Sequence, residues 1–542
     1  MTTKNERSGG EILAQGLKSH GVDTIFCVPG ESYLAVLDGL YDLHEDINVV
    51  TCRQEGGAAY MAEAYGKLKG EPGICFVTRG PGATNASIGV HTAFQDSTPM
   101  ILFIGQVARH QEDREAFQEI DYRRMYGEMA KWVAQIETAD RIPEYLNRAF
   151  HTATSGRPGP VVLALPEDML TEMATVADTP CYKKVAAAPR SEDMEQFRSL
   201  LSEAQSPLLL VGGGGWSKEA SQHIKRFAED NSLPVACAFR RQDTFDNHHE
   251  LYVGEVGISP NPKLADQVKN ADLLIAVGPR LGEMTTSGYS LLDSPNTKQK
   301  LVHVLPGPDE LNRVYNSELA ILSDLTAFAK AASGLKAIVD PVWKSAVTRA
   351  RKEYLEFMAV ELGIKDFPMH KISSYLRDNL PSDAIITNGA GNYTVWGQRF
   401  YQFSSYPSQL APTSGAMGYG VPAGIGAKIA EPDRTVVTFA GDGCFMMNGQ
   451  EIATAVQHGA NVIIIVVDNG CFGTIRMHQE REYPDRVIST RLNNPDFAAL
   501  ARAYGAHGET VEEAGEFPAA FERARESGQP ALIHMKVPNL WE

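Results

Sequence analysis

The sequence predicts an α/β protein of three domains, each a parallel sheet flanked by helices. Three observations carry that prediction. Short runs rich in Val, Ile and Leu, such as 435–440 and 461–467, lack polar alternation, as strands buried on both faces do. Helical spacing fills the intervals between them, at 450–458 for this pair, so strand, helix and strand follow as a right-handed parallel unit. The chain of 542 residues also has room for about three domains of ordinary size. The expected limits are 1–182, 191–333 and 345–542, with linkers near 182–190 and 333–342.

Taken in order, the first domain opens with a helix over 12–19 and a strand over 24–28 that runs into Pro29-Gly30-Glu31. A helix over 33–43 and a strand over 48–52 follow. Residues 56–68 are a helix dense in Ala and Gly, which lets backbones pack closely. Next come a strand over 74–78, a tight turn at Arg79-Gly80-Pro81-Gly82, a helix over 84–94 and a strand over 100–104. The middle domain has strands at 207–211, 233–238, 271–277 and 300–305. Its run Gly212–Gly213–Gly214–Gly215 lacks the Gly-Lys of a P-loop, and Ser217 stands where a dinucleotide fingerprint has its third glycine. That leaves a structural turn or a dinucleotide site.

The last domain repeats the plan of the first. A strand over 384–387 ends in Asn388-Gly389-Ala390, and 415–429 is a second Ala/Gly-rich helix. The strand 435–440, the turn Gly441-Asp442-Gly443, a helix, the strand 461–467 and the turn Asp468-Asn469-Gly470 complete it. In each copy the first turn precedes the second by about fifty residues, which reads as duplicated architecture. The first copy has Gly-Pro-Gly where the second has Gly-Asp-Gly, so the two halves should divide one site between them.

Composition bounds the function. A hydrophobic content of 43% is ample for three cores, yet no apolar run approaches the roughly 20 residues that span a bilayer. The formal charge of −17 argues against nucleic acid or anionic membrane as partner. The N-terminal stretch MTTKNERSGG is polar and without the apolar segment of a signal peptide. The cysteines at 27, 52, 75, 181, 237, 444 and 471 are scattered and include no CxxC pair, which fits a reduced compartment rather than disulfides or zinc. A cytoplasmic location is expected.

Both turns of the last domain fall at the carboxyl ends of adjacent parallel strands, where open α/β sheets bind ligands. Backbone N–H groups of such glycine turns cradle phosphate. Phosphate alone would repel Asp442, and a divalent cation removes the conflict. Asp442, the amide oxygen of Asn469 and a backbone carbonyl suit a hard, octahedral ion such as Mg²⁺. The alternative is two ordinary strand–helix turns with Asp442 as a helix cap.

These turns resemble the diphosphate-binding motif of thiamine-diphosphate enzymes, with Asp468-Asn469 where the family usually has Asn-Asn. The resemblance covers nearly the whole chain. It is similar above all to the acetolactate synthase branch, through CRQEGGAA, TRGPGATNASIGVHTAFQDSTPMILFIGQV, REAFQE, GAMGYGVPAGIGAK and the two turns. It implies that Gly30, Asn388, Gly389, Gly415, Met417, Gly441, Asp442, Gly443, Cys444, Asn469, Cys471, Phe472 and Gly473 bind the cofactor. Asp442, Asn469 and the backbone carbonyl of Cys471 would hold the metal. Glu55 would be the acid that shares a proton with the pyrimidine ring; an apolar site raises a carboxyl from its reference value of about 4.3 and allows that. Without the resemblance Glu55 reads as a glutamate at a helix N-terminus.

Met417 aligns with the residue that props the bent cofactor, though plain helix core would also suit it. His110, Phe117 and Gln118 align with the substrate-side segment. There His110 would bond an oxyanion and Gln118 would order a water or carbonyl; a surface role for His110 is the alternative. Two departures matter. Arg476 and His478 stand where the branch usually shows a Trp that reads the second substrate. His303-Val304-Leu305-Pro306-Gly307-Pro308 replaces the acidic segment that accompanies flavin, so FAD is not expected, although Arg280 is kept.

The resemblance therefore implies a thiamine-diphosphate-dependent carboligase that decarboxylates a 2-oxo acid such as pyruvate and transfers the fragment to a carbonyl acceptor. A decarboxylase that releases an aldehyde, or a relative that only binds the cofactor, is the alternative. A homodimer or dimer of dimers with shared active sites is expected.

Overall fold

The computed structural model describes residues 6–360 and 368–538; residues 1–5, which open the polar N-terminal stretch, lie outside the described residues. Three six-stranded parallel sheets organise the chain. The first holds β1 (Thr24–Cys27), β2 (Asn48–Thr51), β3 (Gly73–Val77), β4 (Met100–Gln106), β5 (Trp132–Gln135) and β6 (Pro160–Pro166), in the order β2-β1-β3-β4-β6-β5. The second holds β7 (Pro207–Val211), β8 (Val235–Ala238), β9 (Tyr252–Val256), β10 (Leu273–Val277), β11 (Lys300–Leu305) and β12 (Leu319–Leu322). Its order is β9-β8-β7-β10-β11-β12, that of a doubly wound nucleotide-binding sheet. The third holds β13 (Ile385–Asn388), β14 (Gln409–Leu410), β15 (Val436–Gly441), β16 (Ile463–Asp468), β17 (His507–Val511) and β18 (Ala531–Lys536). Its order, β14-β13-β15-β16-β18-β17, repeats that of the first sheet strand for strand.

The central strands are apolar throughout because helices cover both faces; β3, β4, β6, β10 and β15 are buried at every position. The two copies share a core. Helix α1 (Glu55–Lys69) of the first packs on α3 (Gly420–Ala430) of the last, and Tyr60, Met61, Tyr419 and Ile425 belong to one buried cluster. Small residues make this close approach possible: a methyl group on Gly426 would stand 2.8 Å from the Met61 carbonyl oxygen.

Two turns differ from the sequence reading. Arg79-Gly80-Pro81-Gly82 is not a separate turn, because helix α2 (Gly80–Asp96) begins within it, with Pro81 in the first helical turn, where a missing N–H costs nothing. Residues 415–419, expected to be helical, form a turn, and α3 begins only at Gly420. Gly415 and Gly418 have φ of 68° and 78°, left-handed values that no helix interior accepts.

Candidate active site

The carboxyl ends of β15 and β16 bring the two glycine turns side by side, with Gly441 paired to Val467. Helix α4 (Asp442–Asn448) starts on Asp442, whose carboxylate is 3% exposed. One of its oxygens accepts the N–H of Gly443 at 2.8 Å; the other accepts the N–H of Cys471 at 3.2 Å and Nδ2 of Asn494 at 2.7 Å. Asn469 Oδ1 accepts the same Cys471 N–H at 3.2 Å, so the carboxylate and the amide oxygen converge on one point. The Cys471 carbonyl accepts Gly473 N–H at 2.8 Å. Burial, with Asp468 close by, pushes the Asp442 carboxyl up to about 6.

Asp468, where the family usually has Asn, has partners of its own. It accepts from His534 Nε2 at 2.8 Å, Asn494 Nδ2 at 2.7 Å and the Gly470 N–H at 3.0 Å. Burial opposes its charge, and these bonds outweigh it and hold the carboxyl below the usual range. Among the described residues no three His, Cys, Asp or Glu side chains gather as a metal cluster. The carboxylate and amide oxygen that converge here are hard donors, as is the backbone carbonyl of Cys471, and they suit Mg²⁺.

Cys444 ties this half together. Its sulfur accepts the N–H of Gly418 at 3.0 Å and the hydroxyl of Tyr393 at 3.2 Å. Gly389, after Asn388 at the end of β13, packs against the same sulfur. The Phe472 ring lies on Gly443, and Gly473 starts the helix Gly473–Glu482. Met417 is half-buried and its carbonyl faces the Tyr60 hydroxyl at 3.5 Å. Gly415 opens onto a cavity of about 1060 Å³, lined also by Asn392, Thr474, His478, Arg240 and Arg280. The space around Gly415 is empty enough that a Cβ there would touch nothing within 4 Å.

The remaining site residues stand on the first sheet. Glu55 is the first residue of α1, capped by Gln54, and its Oε2 accepts Asn85 Nδ2 at 2.9 Å. A methyl group on Gly82 would lie 3.5 Å from its other oxygen. Gln118, at φ 67°, gives its carbonyl to Gly80 N–H at 2.9 Å, so the 113–120 loop borders the Glu55 corner. Gly30 ends the segment after β1 and abuts Thr78. His110 lies exposed on the short helix Arg109–Gln111, and Phe117 is 73% exposed. Within the chain, no hydrogen bond joins Glu55 to Asp442 or to the 415–417 turn among the described residues.

Sequence motifs gave no sign of Asn494 or His534. Asn494 lies 52 and 26 residues from the two carboxylates it contacts and His534 lies 66 from Asp468, both outside either glycine turn. An Asp in place of the family Asn at 468 was the available clue, since a second buried carboxylate needs donors.

Family models of the thiamine pyrophosphate enzymes match the chain in three places: the N-terminal TPP binding domain over 7–125, the central domain over 194–332 and the C-terminal TPP binding domain over 389–535. The acetolactate synthase isozyme 2 large subunit of Escherichia coli (strain K12) is 31% identical over 98% of this chain and 96% of its own length. The acetolactate synthase large subunit of Corynebacterium glutamicum is 31% identical over 98% of this chain and 87% of its own. That of Lactococcus lactis subsp. lactis is 32% identical over 92% and 87%. With such likeness along nearly its full length, and with the two glycine turns side by side, the chain belongs to the thiamine pyrophosphate enzymes and is an acetolactate-synthase-like carboligase.

Proposed function

We propose that the chain decarboxylates a 2-oxo acid, pyruvate first, and transfers the fragment to a carbonyl acceptor. The observation that carries this is the division of labour between the duplicated units. Asp442 and Asn469 converge on one N–H at the end of the third sheet, while Glu55 stands at the matching end of the first. When bound, thiamine diphosphate supplies an electron sink next to the carbonyl of the 2-oxo acid.

The residues have separable tasks. Asp442, Asn469 and the Cys471 carbonyl would hold Mg²⁺, and the metal would neutralise the diphosphate against the buried carboxylate. Gly441, Gly443, Asn388 and Gly389 would border the diphosphate, and Met417 and Gly415 would receive the pyrimidine side. Glu55 would share a proton with the pyrimidine ring. His110 and Gln118 would meet the substrate.

The cavity beside Gly415 would admit the acceptor past Thr474 and His478. Because among the described residues Glu55 bonds Asn85 of its own unit, we infer a homodimer or dimer of dimers in which Glu55 of one chain completes the site of the other. Seven scattered cysteines without a CxxC pair fit a reducing, cytoplasmic setting. Flavin is not part of this reading: His303 Nε2 turns inward to the Pro279 carbonyl at 2.8 Å, and Glu310 is taken up by Arg157 and Arg313.

A panel of 2-oxo acids incubated with protein, thiamine diphosphate and Mg²⁺, with products identified by mass spectrometry, tests the proposal. A 2-hydroxy-2-acyl acid such as acetolactate is expected. Accumulation of the free aldehyde alone would make the chain a decarboxylase, and no product from any acid would overturn the reaction.

A further inference from the structure

The turn that carries Glu55 is held by the other copy as well as by its own unit. Gln54 N–H donates to Glu451 Oε1 at 2.9 Å, and Arg53 N–H is shared between both Glu451 oxygens at 3.2 Å each. The Thr454 hydroxyl donates to Oε2 at 2.6 Å. Glu451 is fully buried, and a methyl group on Gly57 would stand 2.6 Å from its Oε1, so only glycine leaves the carboxylate its place. On either side, His458 Nε2 accepts Thr51 N–H at 3.1 Å and Gln457 Oε1 accepts Arg53 Nη2 at 2.6 Å.

A buried carboxylate is expensive unless donors surround it. Here two of the donors are the amides of the two residues directly before Glu55. Gln54 also caps α1 by accepting Gly57 N–H at 3.0 Å, so fixing its amide fixes the first turn of the helix and the direction in which Glu55 leaves it.

We propose that Glu451 is the positioning residue for Glu55, aiming the acid through the Arg53 and Gln54 amides. Glu451 lies on the continuous stretch that begins with Asp442, through α4 and the short helix Gly449–Glu451. In the shared-site dimer the half that holds diphosphate for one site therefore aims the acid of the other. This rests on the reading of Glu55 as the acid, and the test separates the two.

Glu451→Ala, Glu451→Gln and Gln457→Ala are compared with the parent chain in two measurements. In the full-length chain without cofactor, amide hydrogen exchange at 51–57 is expected to rise in Glu451→Ala, to stay near parent in Glu451→Gln, whose amide oxygen still accepts, and to rise slightly in Gln457→Ala. With thiamine diphosphate, Mg²⁺ and pyruvate, Glu451→Ala is expected to lower kcat by about 10- to 100-fold, the size of effect a misplaced catalytic group gives, with KM changed less than about threefold. Glu451→Gln should recover most of kcat. Unchanged exchange in Glu451→Ala overturns the clamp. Raised exchange with unchanged kcat overturns its positioning role. A parent chain that turns over no 2-oxo acid overturns the assigned reaction instead, and the exchange result then decides the clamp by itself. If Glu451→Ala does not fold, raised exchange with lowered kcat in Gln457→Ala upholds the proposal, and parent values of both overturn it.

Discussion

Asp442 and Asp468 lie on adjacent strand ends, share the Asn494 amide, and are driven in opposite directions. His534 and Asn494 keep Asp468 charged against its burial, whereas burial and the neighbouring charge leave Asp442 pushed up to about 6. Asp442 is thus the carboxylate with most to gain from a cation. Removing it should act on affinity: Asp442→Ala is expected to weaken thiamine diphosphate binding by about 10-fold or more in the presence of Mg²⁺, and chelator should do the same to the parent chain. As the acid, Glu55 would contribute few binding contacts and one proton. Glu55→Gln is therefore expected to cut turnover by about 10²–10⁴, the usual size of a general-acid contribution, with affinity only modestly lower. Calorimetry and steady-state kinetics on the two variants check both statements. An affinity loss in Glu55→Gln as large as that in Asp442→Ala would reverse the roles.

The helix pair α1 and α3 does for the fold what the glycine turns do for the site. With Met61 backbone 2.8 Å from where a Gly426 methyl would sit, Gly426→Val is expected to destabilise the chain by about 1–3 kcal/mol, read from urea unfolding. A second element-level prediction concerns the helix Gly9–Ser19 and the segment after β6. His20 follows that helix, stacks on Phe150 and accepts Tyr182 N–H through Nδ1 at 3.2 Å. Burial, with His151 nearby, lowers it from 6.5 to about 4. The unfolded chain then binds a proton that the folded chain refuses, so stability is complete above about 6.5 and falls as pH drops toward 4. The melting temperature of His20→Phe should lose less over that interval than that of the parent. Such elements differ in how far sequence discloses them. The apolar strands and the repeat of the first sheet's plan in the last were legible because parallel strands covered on both faces cannot hide their composition. The 415–419 turn was not, since its Ala and Gly content imitates α3 while two left-handed glycines break the helix. Nor was the Glu451 clamp, whose partners are about 400 residues apart in sequence.

At the scale of the whole molecule, two expectations concern what the three units hold together. The cavity of about 1060 Å³, lined by all three units, is roomy enough for a large cofactor, but β11 ends in Leu305-Pro306-Gly307 and the Glu310 carboxylate beyond it is paired with Arg157 and Arg313. Protein purified from a flavin-replete host is accordingly expected to be colourless, without absorbance near about 450 nm; stoichiometric FAD released on denaturation would overturn that. The other expectation follows from the repeated strand order. The first and last sheets are copies, yet Glu55 belongs to one and Asp442 to the other, and within a chain Glu55 bonds Asn85 while Asp442 bonds Asn494. An isologous dimer would bring each Glu55 to the other chain's Asp442 half and make two equal sites. At a thiamine diphosphate concentration that fills the parent site but not that of Asp442→Ala, chains carrying Glu55→Gln and chains carrying Asp442→Ala are each expected to be nearly inactive alone. After mixing, dissociation and reassociation, half of the assembled dimers should be mixed, and one site in each mixed dimer then has both intact residues. Activity should return to about one quarter of the parent value at equal proportions. If native mass spectrometry finds mixed dimers in that proportion and they remain inactive, Glu55 and Asp442 act within one chain and the shared-site arrangement is wrong.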